Sequence, residues 1–265
     1  QGYVEQYPQG EKARNAPALG NDETEGRQNE AHYEKEIGAE MGRGLERVVV
    51  IDVPDEVAVA DSTSINVFKL LAAALSLRPG RPVILSEEEN FPTDLYMAQG
   101  LAQLLGDRAR LEVVPRSRLQ SELDDRVAVV MLTHVDFRSG ELHDMHEVTE
   151  AAHQAGALML WDLAHSAGAV PVNLAACSAD LAVGCGYKYL NGGPGAPAFA
   201  WVARRHHAEL RTPLAGWMGH RDPFAFSTDY EAAPGSVRLQ AGTPPILSLV
   251  AFDEALKMFS SVDVH

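Results

Sequence analysis

Two cysteines in 265 residues, Cys177 and Cys185, leave no material for a disulfide framework or a Cys-x-x-Cys metal knuckle, and they point to a reducing compartment. Basic residues are scarce as well. Against 37 Asp and Glu there are 22 Lys and Arg, for a net charge of −15. Such a chain has no basic surface for nucleic acid or an anionic membrane, so an anionic ligand must be held by local donors such as helix N-termini. No apolar run is long enough to span a bilayer, and the first residues lack the basic-then-apolar pattern of an export signal. The sequence reads as soluble and cytoplasmic, with neither membrane nor nucleic acid as a partner.

What is present is a chain with 46% hydrophobic residues, enough for one large core. Residues 1–45 stand apart. They are rich in Gln, Glu, Gly, Asn and Arg and read as a poorly ordered or atypical N-terminal arm with one helix near Asn29–Met41. From Glu46 onward, short β-branched runs alternate with amphipathic stretches. Strands are predicted at Arg47–Val53, Glu56–Ala60, Pro82–Ser86, Leu111–Val114, Ala128–Thr133, Leu158–Asp162, Leu181–Gly184 and Ala198–Val202. Helices are predicted at Ser64–Leu77, Thr93–Leu105, Met145–Gln154 and Pro245–Phe259. This alternation predicts an α/β fold, a mainly parallel sheet with helices on both faces. Ligand residues are then expected in loops just beyond the carboxyl ends of strands.

Four such loops carry chemistry. Asp61-Ser62-Thr63-Ser64 opens a helix, where hydroxyls and free N–H groups serve equally as an ordinary cap or a phosphate cradle. Asn90-Phe91-Pro92-Thr93-Asp94 offers either another cap or a ring, Phe91, and a carboxylate, Asp94, turned toward a flat aromatic ligand. Asp162 ends an apolar run and is followed by His165; a buried carboxylate there needs a cationic partner, while His165 reads as a core residue or as a ring contact. Lys188, between Tyr187 and Tyr189 and followed by Asn191-Gly192-Gly193-Pro194-Gly195, is either a surface lysine at a turn or a nucleophile. Acid and lysine in this order match the layout of a pyridoxal 5'-phosphate (PLP) site, with the carboxylate on the ring nitrogen and the lysine forming a Schiff base.

Two further clusters have ligand-type residues and are assigned no metal. His143-Asp144-Met145-His146 precedes a helix that Asp144 caps, and His206-His207, beside Arg204 and Arg205, reads as an exposed helix start.

The stretches Trp161–Pro171, Gly184–Pro197, Gly216–His220 and Gly242–Pro245 resemble the kynureninases, PLP-dependent hydrolases of the aminotransferase class V group with the fold-type-I architecture. Thr63–Asn66, Phe91–Asp94 and Met131–Gly140 extend the resemblance, which covers about Glu46 to Phe259. It implies a three-layer αβα large domain over 46–265. The family's N-terminal Asp-Gly-Asn-Ser-Leu-Gly segment is not matched in residues 1–45. Its small C-terminal domain, with an arginine for the substrate carboxylate, is read as missing.

Residue by residue, the resemblance implies that Lys188 holds PLP and that Asp162 pairs with its ring nitrogen. Thr63, Ser64, Tyr187 and Trp217 would contact the phosphate, and Phe91 would stack on the ring. Asp94, Thr133 and His165 would complete the pocket. Thr243 would lie near phosphate and substrate, serving the neighbouring subunit of a homodimer with shared active sites. The implied reaction is cleavage of the Cβ–Cγ bond of a small amino acid, L-kynurenine or 3-hydroxykynurenine, to anthranilate and L-alanine in tryptophan catabolism. Lys188 would move the α-proton and Tyr187 would relay protons. The alternatives are a catalytically impaired PLP-binding remnant or another class V enzyme such as a cysteine desulfurase.

Overall fold

A computed structural model describes residues 43–45, 49 and 54–262. The expected helix at Asn29–Met41 and strand at Arg47–Val53 fall outside the described residues, apart from a bend at Val49. Among the described residues seven strands form one sheet: β1 (Val57–Val59), β2 (Val83–Glu87), β3 (Arg110–Val114), β4 (Val127–Thr133), β5 (Leu158–Asp162), β6 (Leu181–Cys185) and β7 (Ala198–Val202). Their spatial order is β1-β7-β6-β5-β4-β2-β3, and only β7 runs against its neighbours.

The central strands are apolar until their carboxyl ends, where Ser86, Glu87, Thr133 and Asp162 appear, because both faces are covered. Every residue of β2, β4, β5, β6 and β7 is buried. Side chains alternate between the faces. Val129, Met131, Leu158, Leu160, Leu181 and Val183 point into one core with Val67, Leu70 and Leu71 of α1 (Thr63–Leu77) and Ala98 and Leu101 of α2 (Pro92–Leu105). Val130, Leu132, Met159 and Trp161 point into the other, with Met145 and Ala152 of α3 (Met145–Gln154) and Leu249, Phe252 and Leu256 of α4 (Ile246–Met258). The result is the expected three-layer arrangement. At the edge, β3 carries Arg110 and Glu112, ion-paired at 2.7 Å, which blunts an otherwise open row of backbone donors and acceptors. No helix among the described residues is long and apolar enough to cross a membrane.

Two loops behave differently from their sequence reading. Asp144 does cap α3, its Oδ1 accepting the Glu147 N–H at 3.0 Å, but His143 turns inward to Glu87 with Nε2 and Oε1 2.7 Å apart. The 204–206 segment is a short 3-10 turn with Arg204 and Arg205 exposed, but His206 and His207 are not. His206 Nε2 lies 2.7 Å from Asp180 Oδ1, and His207 is buried with its Nε2 2.9 Å from the Val202 carbonyl. Asp180 explains the inward pull. Its buried carboxylate also takes His153, Arg205 and the Met159 N–H, and these bonds hold it well below the usual carboxylate range despite burial.

Candidate active site

Because β1, β2, β4, β5 and β6 are parallel, their carboxyl ends open on one edge of the sheet, and the loops singled out from sequence meet there. Asp162 is the last residue of β5 and pairs in register with Thr133, the last of β4. Its side chain is buried, and Oδ1 accepts the Ala164 N–H at 2.8 Å. Asp94, in the first turn of α2, is also buried and faces it. Two carboxylates cannot both ionise in so dry a place. Burial pushes Asp94 well above the usual carboxylate range, and the charge of Asp162 pushes it further. Asp162 is raised by burial too, but the Ala164 N–H, the Asp94 hydroxyl and the Lys188 cation work against that rise. Asp94 therefore carries the proton and donates it to Asp162, which carries the charge. Asp94 Oδ2 is left buried without a partner among the described residues.

Lys188 follows β6 in a loop whose shape depends on glycine. Gly186 donates to the Pro197 carbonyl at 3.0 Å, and a side-chain carbon there would come within 2.5 Å of that same oxygen. Lys188 Nζ lies 2.9 Å from His165 Nε2 and 5.3 Å from the centre of the Phe91 ring. An ammonium only donates, so His165 Nε2 accepts and its proton sits on Nδ1. Burial, then the Lys188 cation, lowers the His165 pKa and keeps the ring neutral. His165 Nδ1 is buried with no partner among the described residues, a donor waiting for an acceptor. Tyr187 is half exposed beside the lysine, its ring centre 5.7 Å from Nζ.

Of the two readings of Asn90–Asp94, a side-chain cap is not what the structure has. Phe91 occupies the cap position of α2 with no side-chain cap bond. Asn90 instead ties the loop to β4, accepting from the Thr133 N–H at 3.0 Å and from the Thr133 hydroxyl, and donating to Ser86 Oγ at 2.9 Å. At the start of α1, Ser62 is the cap, its Oγ 3.4 Å from the Ile65 nitrogen, while the side chains of Thr63 and Ser64 are half-buried and make no hydrogen bond among the described residues. Phe137, not singled out from the sequence, stacks on His165 at 6.4 Å and meets Phe91 edge-on at 5.3 Å.

Thus Lys188, Tyr187, His165, Phe91, Asp94, Asp162 and Thr133 gather beyond the carboxyl ends of β4, β5 and β6. Trp217 and Thr243 do not join them: among the described residues neither makes a hydrogen bond or ring contact with that group. Trp217 packs edge-on against Phe224 at 5.6 Å, and Thr243 is exposed. The donor set fits a flat, anionic aromatic heterocycle such as PLP: a charged carboxylate with an orphaned neighbour for a ring N–H, a neutral imidazole donor, an amine nucleophile, and free amides and hydroxyls where α1 begins.

Residues 29–265 match the family profile described as Aminotransferase class-V. The chain is 56% identical to the kynureninase of Deinococcus radiodurans, over 79% of its own length and 50% of that protein's. It is 49% identical to a kynureninase of Burkholderia mallei, over 89% of its length and 62% of the other. The chain thus spans half to under two thirds of these relatives. Among solved structures it resembles the apo cysteine desulfurase of Thermococcus onnurineus NA1, with a TM-score of 0.74 at 22% identity over 88% of this chain and 58% of that one. It also resembles a mutant of C-DES with glycine covalently linked to its PLP cofactor, at 0.76 and 17%, over 86% and 61%. At such identities the likeness concerns the fold.

Proposed function

The chain belongs to the aminotransferase class-V family, and from that premise we propose that it binds pyridoxal 5'-phosphate and hydrolyses L-kynurenine or 3-hydroxykynurenine to anthranilate and L-alanine. The observation that carries this reading is the grouping of Lys188, His165 and the Asp94–Asp162 pair at the carboxyl ends of β4, β5 and β6, in a chain 49–56% identical to kynureninases.

When bound, the cofactor supplies an electron sink for the bonds at the substrate's α-carbon. The protein's residues do the rest. Asp162, kept charged by its neighbours, favours a protonated ring nitrogen. Asp94 holds its proton and stabilises that charge. Lys188 Nζ would hold the cofactor and, once freed from it, would be placed to take and return a proton at the substrate's α-carbon. His165 Nδ1 donates to an oxygen substituent of the ring. Tyr187, solvent-accessible beside Nζ, relays protons to the departing carbon. Thr63 and Ser64 receive the phosphate at the start of α1.

Trp217 and Thr243, which stand apart from Lys188, are assigned to the corresponding site of a second copy in a homodimer. The protein is assigned to the cytoplasm, in keeping with its two unpaired cysteines.

The test is direct. Protein supplied with PLP and then L-kynurenine should release anthranilate, read by its fluorescence. Release of sulfide from L-cysteine without anthranilate would move the assignment to a desulfurase. A cofactor band with no product from either substrate would reduce it to cofactor binding.

A further inference from the structure

Lys69 is the one lysine in the apolar run of α1, and it is fully buried. A buried ammonium is retained only with partners, and Lys69 has two: the carboxylate of Asp61 and the main-chain carbonyl of Leu239, 170 residues further along the chain. Asp61 is the residue at which the chain leaves β1 to enter α1. Its φ is +50°, in the left-handed region that costs any side-chain-bearing residue free energy and that Asp tolerates better than most. Around it the corner is fixed from every side. Its carbonyl accepts from Ala198 at 3.0 Å, Asn66 Nδ2 donates to the Ala60 carbonyl at 2.9 Å, and Ser62 follows as the cap.

We propose that Lys69 is a positioning residue for phosphate binding: by gripping Asp61 it holds the left-handed corner that aims the Thr63 and Ser64 amides and hydroxyls, and by gripping Leu239 it locks that corner to the segment leading to Thr243. This rests on the reading that the start of α1 receives the cofactor's phosphate. The second grip reaches further than one bond. Beyond Leu239 the chain passes Ala241, whose carbonyl lies where a side chain on Gly216 would stand, 1.7 Å from that position. The turn bearing Trp217 is thereby packed against the segment that Lys69 holds.

The test compares ligands with and without the phosphate. Wild-type protein and Lys69→Met are titrated with PLP and with pyridoxal, and melting is followed in parallel. The variant is expected to lose roughly tenfold or more in affinity for PLP while its affinity for pyridoxal stays within about twofold. A loss of equal size for both ligands, or no loss, overturns the proposal, because a merely structural lysine would affect the pocket without regard to the phosphate.

Two double variants remove the buried charge together with its partner and so keep the test open if the single variant does not fold. With Lys69→Met in both, Asp61→Gly should recover most of the PLP affinity, since glycine takes the positive φ unaided, and Asp61→Ala should not. Equal affinities in the two would overturn the proposal. Failure of the wild type itself to bind PLP would overturn the functional reading beneath it, and the inference with it.

Discussion

Lys188 and His165 stand with Nζ 2.9 Å from Nε2, and the histidine's other nitrogen is buried and unpaired among the described residues. This contact fixes a tautomer, keeps a neutral donor beside a nucleophile, and joins the loops after β5 and β6. If Lys188 is the anchor, Lys188→Ala should abolish the absorbance band of the lysine-bound cofactor while leaving weaker, noncovalent binding through Asp162 and the start of α1. An unchanged band would remove Lys188 from the site.

The two buried carboxyls should respond unequally. Asp162→Asn removes the charge that a ring N–H requires and should weaken PLP binding by about 3 kcal/mol, roughly two orders of magnitude. Asp94→Asn replaces a group that is already neutral, so a loss of under about tenfold is expected. Cofactor titrations of the two variants read the difference, and the reverse order would mean that Asp94 carries the charge.

Stability should fall on the acid side for a reason that can be assigned. Burial, and to a smaller extent the neighbouring His143, push His134 down to about 4. The unfolded chain, with a histidine pKa of roughly 6.5, binds more protons than the folded one between these values, so stability is full above the upper limit and is lost as pH falls toward the lower. The full effect is at most about 3 kcal/mol. His134→Gln should flatten this part of the curve from urea melts at successive pH values; an unchanged slope would mean that other groups set it.

Asp180 joins the loop before β6 to β5, α3 and the 204–206 turn. Asp180→Ala leaves His153, His206, Arg205 and the Met159 N–H without their acceptor and should cost about 3 kcal/mol or more in urea denaturation. A cost under about 1 kcal/mol would show the network to be dispensable.

Much of this was legible in the sequence, for identifiable reasons. Strands buried on both faces read as short apolar runs, so β5 and β7 were bounded to the residue and most others to within one or two. Residues just beyond those runs gave Asp162, His165 and Lys188, because parallel strands deliver their carboxyl ends to one edge. Contacts between distant segments stayed hidden. The Lys69–Leu239 bond spans 170 residues, and its local signal is a lone lysine in Phe68-Lys69-Leu70-Leu71. The Arg-rich run at 204–205 has the composition of surface, whereas the buried Asp180 draws His206 inward. The 90–94 segment reads equally as a cap because caps and loop ties such as the Asn90–Thr133 bond use the same amide chemistry.

The central claim, an amine-anchored cofactor site at Lys188, is tested most directly by loading the protein with PLP, reducing with borohydride and mapping the modified peptide. A single pyridoxyl label on the peptide containing Lys188, absent from Lys188→Ala, is the expected result. No label, or a label on another lysine, would contradict it.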